Sequence, residues 1–174
     1  MNSLIIYGSQ YGSTRRYAEH LAEMTGMAAV DYREAKGIDR YDGIVYLGAL
    51  YAGGVMGLKK TVEKLAPGQK LVMVTVGLAD PANEANITSI RRSIKTQVPT
   101  QFYDESRCFH LRGAIDYRRL GLKHRVMMSM LHAKVAKMPQ ESLNPEAQAM
   151  LDTYGKQVDF VDFSTLEPII RILK

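Results

Sequence analysis

The sequence has no tryptophan, a single cysteine and no long apolar run. Because Cys108 is the one cysteine, an internal disulfide is excluded, and we expect a small buried residue in a reducing compartment. No window approaches the roughly 18 consecutive apolar residues of a membrane-spanning helix. A strand predicted directly after Met1-Asn2-Ser3 leaves no room for a signal peptide. These absences favour a cytoplasmic globular protein, and the length of 174 residues, without repeats or linkers, predicts a single domain over residues 1–174.

Acidic residues are scarce in one part of the chain. The formal net charge is +5, yet residues 91–137 hold eleven Lys or Arg against three acids. Such a stretch fits an anionic partner. The helix predicted over residues 120–138 is basic and methionine-rich. Two alternatives stay open for it: packing on the core, or a surface for an acidic redox partner, a quinone or an anionic membrane. Nucleic acid is not expected, because aromatic interleaving and a reading motif are missing.

A buried strand, a hydroxyl-rich loop and an amphipathic helix follow one another near the N-terminus. The strand covers residues 3–7, the loop residues 8–14, and Gly26 ends the helix. The first N–H groups of a helix have no intrahelical partner and attract negative charge. The pattern therefore predicts a phosphate cradle, in which the hydroxyls of Ser9, Ser13 and Thr14 are candidate donors.

Strands and helices alternate along the rest of the chain. This alternation predicts an α/β fold, a doubly wound three-layer sandwich with a five-stranded parallel sheet. The carboxyl ends of three strands carry small-residue loops, at residues 8–14, 49–54 and 77–83, so a ligand is expected there. The further strands are predicted at residues 27–32, 43–48, 71–76 and 107–113, and the further helices at 55–65, 87–98, 120–138 and 144–161, with a helical turn after residue 164.

The first of these loops lies in a longer motif. Ile5-Ile6-Tyr7-x-Ser9-x-x-Gly12-x-Thr14-x-x-x-Ala18-x-x-Leu21 resembles, position by position, the FMN-phosphate signature of the flavodoxin family. Length and strand number agree as well, so the resemblance covers essentially the whole chain. It implies the flavodoxin-like strand order 2-1-3-4-5 with FMN at the switch point. It also implies an FMN-binding oxidoreductase or electron-transfer protein.

The resemblance assigns site residues as well. No catalytic residue and no metal ligand is predicted, since the flavin itself carries the electron chemistry. Ser9 and Thr14 would donate hydroxyls to the phosphate, and Tyr51 would stack on the ring. The remaining cofactor-binding residues are Gln10, Tyr11, Gly12 and Ser13 at the phosphate, Ala49, Leu50, Ala52 and Gly53 on one side of the ring, and Gly77, Leu78 and Ala79 on the other.

The chain also departs from the acidic, electron-carrying flavodoxins, because it is basic. Gly48-Ala49 after the third strand and Gly113-Ala114-Ile115-Asp116-Tyr117 after the fifth resemble flavodoxin-domain proteins related to menaquinone-dependent protoporphyrinogen oxidase. This likeness implies an extra basic helix before the last long helix, and an anionic tetrapyrrole substrate. The substrate or partner residues would then be Arg112, Asp116, Arg118 and Arg119.

Three hypotheses about function therefore stand beside one another. The first is an FMN-dependent oxidoreductase of protoporphyrinogen-oxidase type, and the second a non-enzymatic flavodoxin carrier that docks an acidic redox partner. The third is an interaction module without flavin. The amphipathic tail, with Leu166, Ile169, Ile170 and Leu173, is expected to dock either on its own core or on a second chain, so an oligomer stays open.

Overall fold

A computed structural model describes residues 2–51 and 53–173 of the chain. Its strands and helices alternate as expected of an α/β protein. The strands are β1 (Ser3–Gly8), β2 (Ala29–Asp31), β3 (Gly43–Tyr51), β4 (Gly54–Val55), β5 (Lys70–Gly77), β6 (Cys108–Arg112), β7 (Ala114–Asp116) and β8 (Gln157–Asp159). The helices are α1 (Ser13–Thr25), α2 (Leu58–Val62), α3 (Glu84–Lys95), α4 (Leu122–Val135), α5 (Pro145–Thr153) and α6 (Glu167–Leu173).

The main sheet has the strand order β2-β1-β3-β5-β6. All four neighbouring pairs in this order are parallel. Counted among the parallel strands alone, this is the order 2-1-3-4-5, so the predicted fold class is confirmed. The central strands β1, β3 and β5 lie side by side, which places the loops at their carboxyl ends at one edge of the sheet.

Alternate side chains of these strands enter two apolar layers, one on each face. On one face, Ile5 and Val45 pack against α1 and α6, where Tyr17, Leu21 and Ile169 are fully buried. On the other face, strand residues such as Ile6 and Tyr46 pack against α2 and α3. Helices on both faces make the three predicted layers.

A third apolar cluster lies outside these layers. It is formed mainly by residues 114–159, which comprise β7, α4, α5 and β8 and are called the covering segment below. Tyr11 of the first loop and Leu78 of the third pack against this cluster. The predicted extra basic helix, α4, is therefore part of a unit that lies against the edge of the sheet where a ligand is predicted.

The second loop differs from its prediction. Residues 49–54 were expected to form an open, glycine-rich loop, but β3 continues to Tyr51 and β4 pairs back on it in antiparallel register. Val55 was expected on the following helix and instead belongs to β4, so α2 spans five residues. Gly53, with φ 81°, allows the tight reversal of the hairpin.

The last long helix is also shorter than predicted. It opens as its sequence favours, with the Asn144 side chain accepting from the Ala147 N–H and Pro145 in the first turn. However, α5 ends at Thr153, and Gly155 has φ 74°. Val158 therefore lies in β8, opposite Ile115 of β7, rather than on a helical stripe.

The tail docks on its own core. Leu166 and Ile169 are fully buried in the layer that contains α1. The Tyr17 hydroxyl holds the preceding residues, since it accepts from the Asp162 N–H at 2.9 Å and donates to the Arg112 carbonyl at 2.9 Å. Among the residues described, no helix is long and apolar enough to cross a bilayer.

Candidate functional site

The loop between β1 and α1 has the backbone of an anion cradle. Gly12 precedes the helix with φ 94°, a left-handed conformation that favours glycine. The Ser9 hydroxyl oxygen accepts hydrogen bonds from the N–H groups of Gly12 at 3.2 Å and Arg15 at 3.3 Å. Ser9 therefore organises the turn through its oxygen, while its own proton remains available to donate to a ligand.

Two polar groups of the cradle are buried without a protein partner. The Thr14 hydroxyl, on a side chain that is 1% exposed, and the Tyr11 hydroxyl have no hydrogen bond to the described part of the chain. Buried hydroxyls usually find a partner, and a ligand oxygen would supply one. Ser13 is also buried. Its hydroxyl oxygen lies so close to Gly113 that a Cβ added there would be 2.8 Å from it. The first turn of α1 thus fits a phosphate with both hydroxyl and N–H donors.

The two arginines of this turn form ion pairs. Arg15 contacts Glu19 at 2.6 Å, and Arg16 contacts Asp159 of β8 at 2.8 Å. All four side chains are largely exposed, so each pair adds little stability. Arg16 ties the cradle helix to the covering segment.

The second loop lies against α4. The Tyr51 hydroxyl donates to the Met127 sulfur at 3.4 Å. The carbonyl of Gly53 accepts from the Ser93 hydroxyl at 3.1 Å, which fixes the hairpin on α3. Ala49 and Leu50 belong to β3, and the predicted site residue Ala52 lies outside the described residues.

The third loop holds a side chain that the sequence reasoning missed. The carboxylate of Glu146, on the first turn of α5, accepts from the N–H groups of Leu78 at 3.2 Å and Ala79 at 3.4 Å. Burial raises the pKa of Glu146, and the two N–H donors act in the opposite direction. Its oxygens lie over Gly77, where an added Cβ would be 3.0 Å from one of them.

The first loop also contacts α4, through His124. The Nε2 atom of this ring lies 2.9 Å from the Gln10 side-chain amide nitrogen, and the ring meets Tyr11 edge to face at 6.1 Å. Each of the three loops therefore touches the covering segment. The predicted phosphate donors lie on the first loop, while Met127 contacts the second loop and Glu146 contacts the third, the two loops predicted to border a flavin ring.

The predicted substrate or partner residues lie near this edge, and some of them already make contacts within the chain. The Arg112 guanidinium donates to the Leu78 carbonyl at 3.1 Å and stacks on Phe160 at 3.6 Å. Asp116 accepts from the N–H of Arg118 at 3.0 Å, and its carboxylate also pairs with the Arg118 side chain. Arg119 is exposed.

The covering segment has a hollow of its own. It has a volume of about 360 Å³ and is lined by Tyr117, Arg118, Arg125, Tyr154 and Gly155. Aromatic faces and guanidinium groups together suit a flat, anionic molecule. No cluster of side chains suited to a metal ion occurs in residues 2–51 and 53–173.

Comparison with known proteins identifies a protein family whose model matches most of the chain. The family model described as a flavodoxin domain matches residues 4–142. No curated protein matches the chain. Among solved structures, the chain is similar to the flavodoxin of Fusobacterium nucleatum bound to flavin mononucleotide, with 13% identity and a TM-score of 0.44. The alignment covers 67% of this chain and 72% of that one.

Proposed function

Because the chain belongs to the flavodoxin domain family, which matches it over residues 4–142, we propose that it binds FMN and transfers electrons. The observation that carries this proposal is the set of unused donors at the start of α1, above all the buried Thr14 hydroxyl. The phosphate of FMN is the partner that these donors lack. A reducing cytoplasm is the proposed location, since the single Cys108 is a buried thiol.

The chain's own residues bind and orient the cofactor. Thr14 and Ser9 would donate hydrogen bonds from their hydroxyls to the phosphate, and the N–H groups that follow Gly12 would add the positive end of the α1 dipole. Tyr51 would border the ring on one side, and Leu78 and Ala79 would border it on the other. FMN supplies one- and two-electron chemistry, which the protein tunes through ring contacts and nearby charge. The covering segment, which contacts all three loops, would limit the access of water to the ring.

Reconstitution tests this function directly. The purified full-length chain is incubated with FMN and desalted, and the flavin absorbance that remains with the protein is measured. We expect a stoichiometric flavin. If no flavin absorbance remains with the protein and excess FMN leaves its thermal midpoint unchanged, the proposal that the chain binds FMN is overturned. The interaction module without flavin would then be favoured.

The finer proposal is an oxidase of an anionic tetrapyrrole, of protoporphyrinogen-oxidase type, that passes electrons through FMN to a quinone. It is supported by the hollow with Tyr117, Arg118, Arg125 and Tyr154 on the segment that contacts the cradle. Arg118 and the exposed Arg119 would face the substrate carboxylates, as charge-assisted pairs. Arg112 is already engaged with Leu78, so it supports the third loop.

Turnover of protoporphyrinogen with a quinone tests this proposal. Arg118→Ala should raise KM, because it removes a cation that would face the substrate. The matched control is Arg33→Ala, since Arg33 pairs with Asp31 two residues away just as Arg118 pairs with Asp116. Absent turnover with every acceptor, combined with fast reduction by a ferredoxin-type protein, would instead favour the carrier that docks an acidic partner.

A further inference from the structure

Helix α4 buries little of its surface. Its buried residues are Met128 and Val135, and His124 and His132, on the same face, are half-buried. These four positions are spaced by three or four residues, so they form a single stripe along the helix. The other faces of this 14-residue helix are exposed.

The exposed side of α4 carries an apolar ridge. Leu122 is 78% exposed, Val126 52% and Met130 70%, at positions i, i+4 and i+8. Ala133 continues the line. An amphipathic surface helix normally turns such residues toward the core and polar residues toward water. Here the large apolar side chains point away from the protein, as expected of a surface that another apolar phase covers.

Cations accompany this ridge. Lys123 and Lys134, eleven residues apart and so on the same side of the helix, flank it on one side, and Arg125 flanks it on the other. All three are exposed. No aspartate or glutamate occurs between Tyr117 and Gln140, whereas this stretch contains six Lys or Arg. The ridge is therefore apolar along its centre and positive along both edges.

We propose that α4 is an interfacial helix that docks the protein on an anionic lipid bilayer. An apolar ridge between basic edges is the arrangement by which a helix lies in the plane of a membrane, with apolar side chains in the acyl boundary and cations at the headgroups. A second copy of the chain is a poor occupant, because a two-fold contact would bring Lys123, Arg125 and Lys134 of both copies together. An acidic protein would match the edges but not the apolar centre.

This docking has a consequence that rests on the proposed function. Because α4 contacts the cradle through His124 and the second loop through Met127, docking would hold the FMN site about one helix diameter from the bilayer. An electron acceptor dissolved in the lipid would then reach the flavin without leaving the membrane surface.

Vesicle sedimentation of the full-length chain without FMN tests the docking. We use vesicles of phosphatidylcholine, with or without one third of phosphatidylglycerol. The protein should sediment with the anionic vesicles and much less with the neutral ones. Met130→Asp should weaken the partition at least about tenfold, since it removes an apolar side chain that the bilayer would bury and adds a charge that anionic headgroups repel. The matched control is Met24→Asp, because Met24 is 58% exposed on α1, and it should sediment like the wild type.

Charge reversal provides the second arm. The double variant Lys123→Glu, Lys134→Glu should bind anionic vesicles at least about twenty-fivefold more weakly, since each cation near such a surface contributes about a factor of five. Its thermal midpoint and circular dichroism should match the wild type, because both positions are exposed. If the protein sediments with neither kind of vesicle, the proposal is overturned in favour of an acidic protein partner. Equal loss in Met24→Asp and Met130→Asp would also overturn it. Because no arm requires FMN, failure of the proposed function would leave this result unchanged.

Discussion

The carboxylate of Glu146 accepts a hydrogen bond from the backbone N–H of Leu78 at 3.2 Å, across 68 residues of sequence. A second, longer bond comes from the N–H of Ala79. These two N–H groups lie on the loop that should border the flavin. An oxygen of a bound flavin ring would meet a carboxylate already on these donors, so Glu146 and the cofactor would compete for them.

We expect Glu146→Ala to strengthen FMN binding by about tenfold, the order expected when one hydrogen bond to a charged group no longer has to be broken. The dissociation constant is measured by quenching of flavin fluorescence. The control Glu141→Ala removes an exposed carboxylate just before α5 and should leave the affinity unchanged. Weaker binding by Glu146→Ala would show that the carboxylate supports the cofactor rather than competing with it.

The buried Thr14 hydroxyl gives a prediction in which stability and affinity move in opposite directions. Thr14→Val keeps the shape but removes a polar group that has no protein partner among the described residues. The free energy of unfolding of the flavin-free protein should rise by about 1 kcal/mol, while FMN binding weakens by about 1–3 kcal/mol. Thermal melts and fluorescence titration measure the two quantities.

Thr25→Val is the control for this variant, because Thr25 lies at the other end of α1 and its hydroxyl donates to the Leu21 carbonyl at 2.7 Å. It should lose a little stability and no affinity. Unchanged FMN affinity in Thr14→Val would place the phosphate away from the first turn of α1.

The strands and the first strand–loop–helix unit could be predicted from the sequence because their signals are local, whereas the strand order was implied by the resemblance to flavodoxins. The apolar run, the glycine at position 12 and the stripe of Tyr17, Ala18 and Leu21 lie within one strand–loop–helix unit. The structure confirms each of these elements and the parallel strand order.

The ring end of the site could not be predicted, because it is built by contacts between distant segments. Glu146 lies in one predicted helix and His124 in another, and no local pattern at either position predicts its contact with a distant loop. The stripe that continued to Val158 and Val161 fitted a helix. However, Gly155 interrupts this stripe, and Val158 pairs with Ile115 in a strand. That pairing joins residues far apart in the sequence, so no local pattern predicts it.

His110 makes stability depend on pH. Its Nδ1 atom lies 2.8 Å from the Thr75 hydroxyl, and burial, with a smaller contribution from Arg91, lowers the pKa of His110 to about 4. The unfolded chain, with an ordinary pKa of about 6.5, binds the proton first. Stability is therefore complete above about pH 6.5 and falls as the pH drops toward 4, by about 1–2 kcal/mol once solvent screening of this partly buried ring is allowed for.

Chemical denaturation between neutral and acidic pH measures this slope. His110→Gln should flatten it, since glutamine does not titrate. A slope that survives in His110→Gln would assign the acid sensitivity to other groups.

Gly8 ends β1 where another backbone crosses it. A Cβ at this position would overlap the Met56 carbonyl oxygen, which also accepts a hydrogen bond from the Tyr46 hydroxyl and so cannot shift without breaking that bond. Gly8→Ala should lower the free energy of unfolding by about 2–3 kcal/mol. It should also weaken FMN binding, because the cradle begins at this residue. Gly121→Ala is the control, since its φ is −59° and an added Cβ meets no described atom within 4 Å. If both variants melt at the wild-type temperature, the close crossing of Met56 over β1 is wrong.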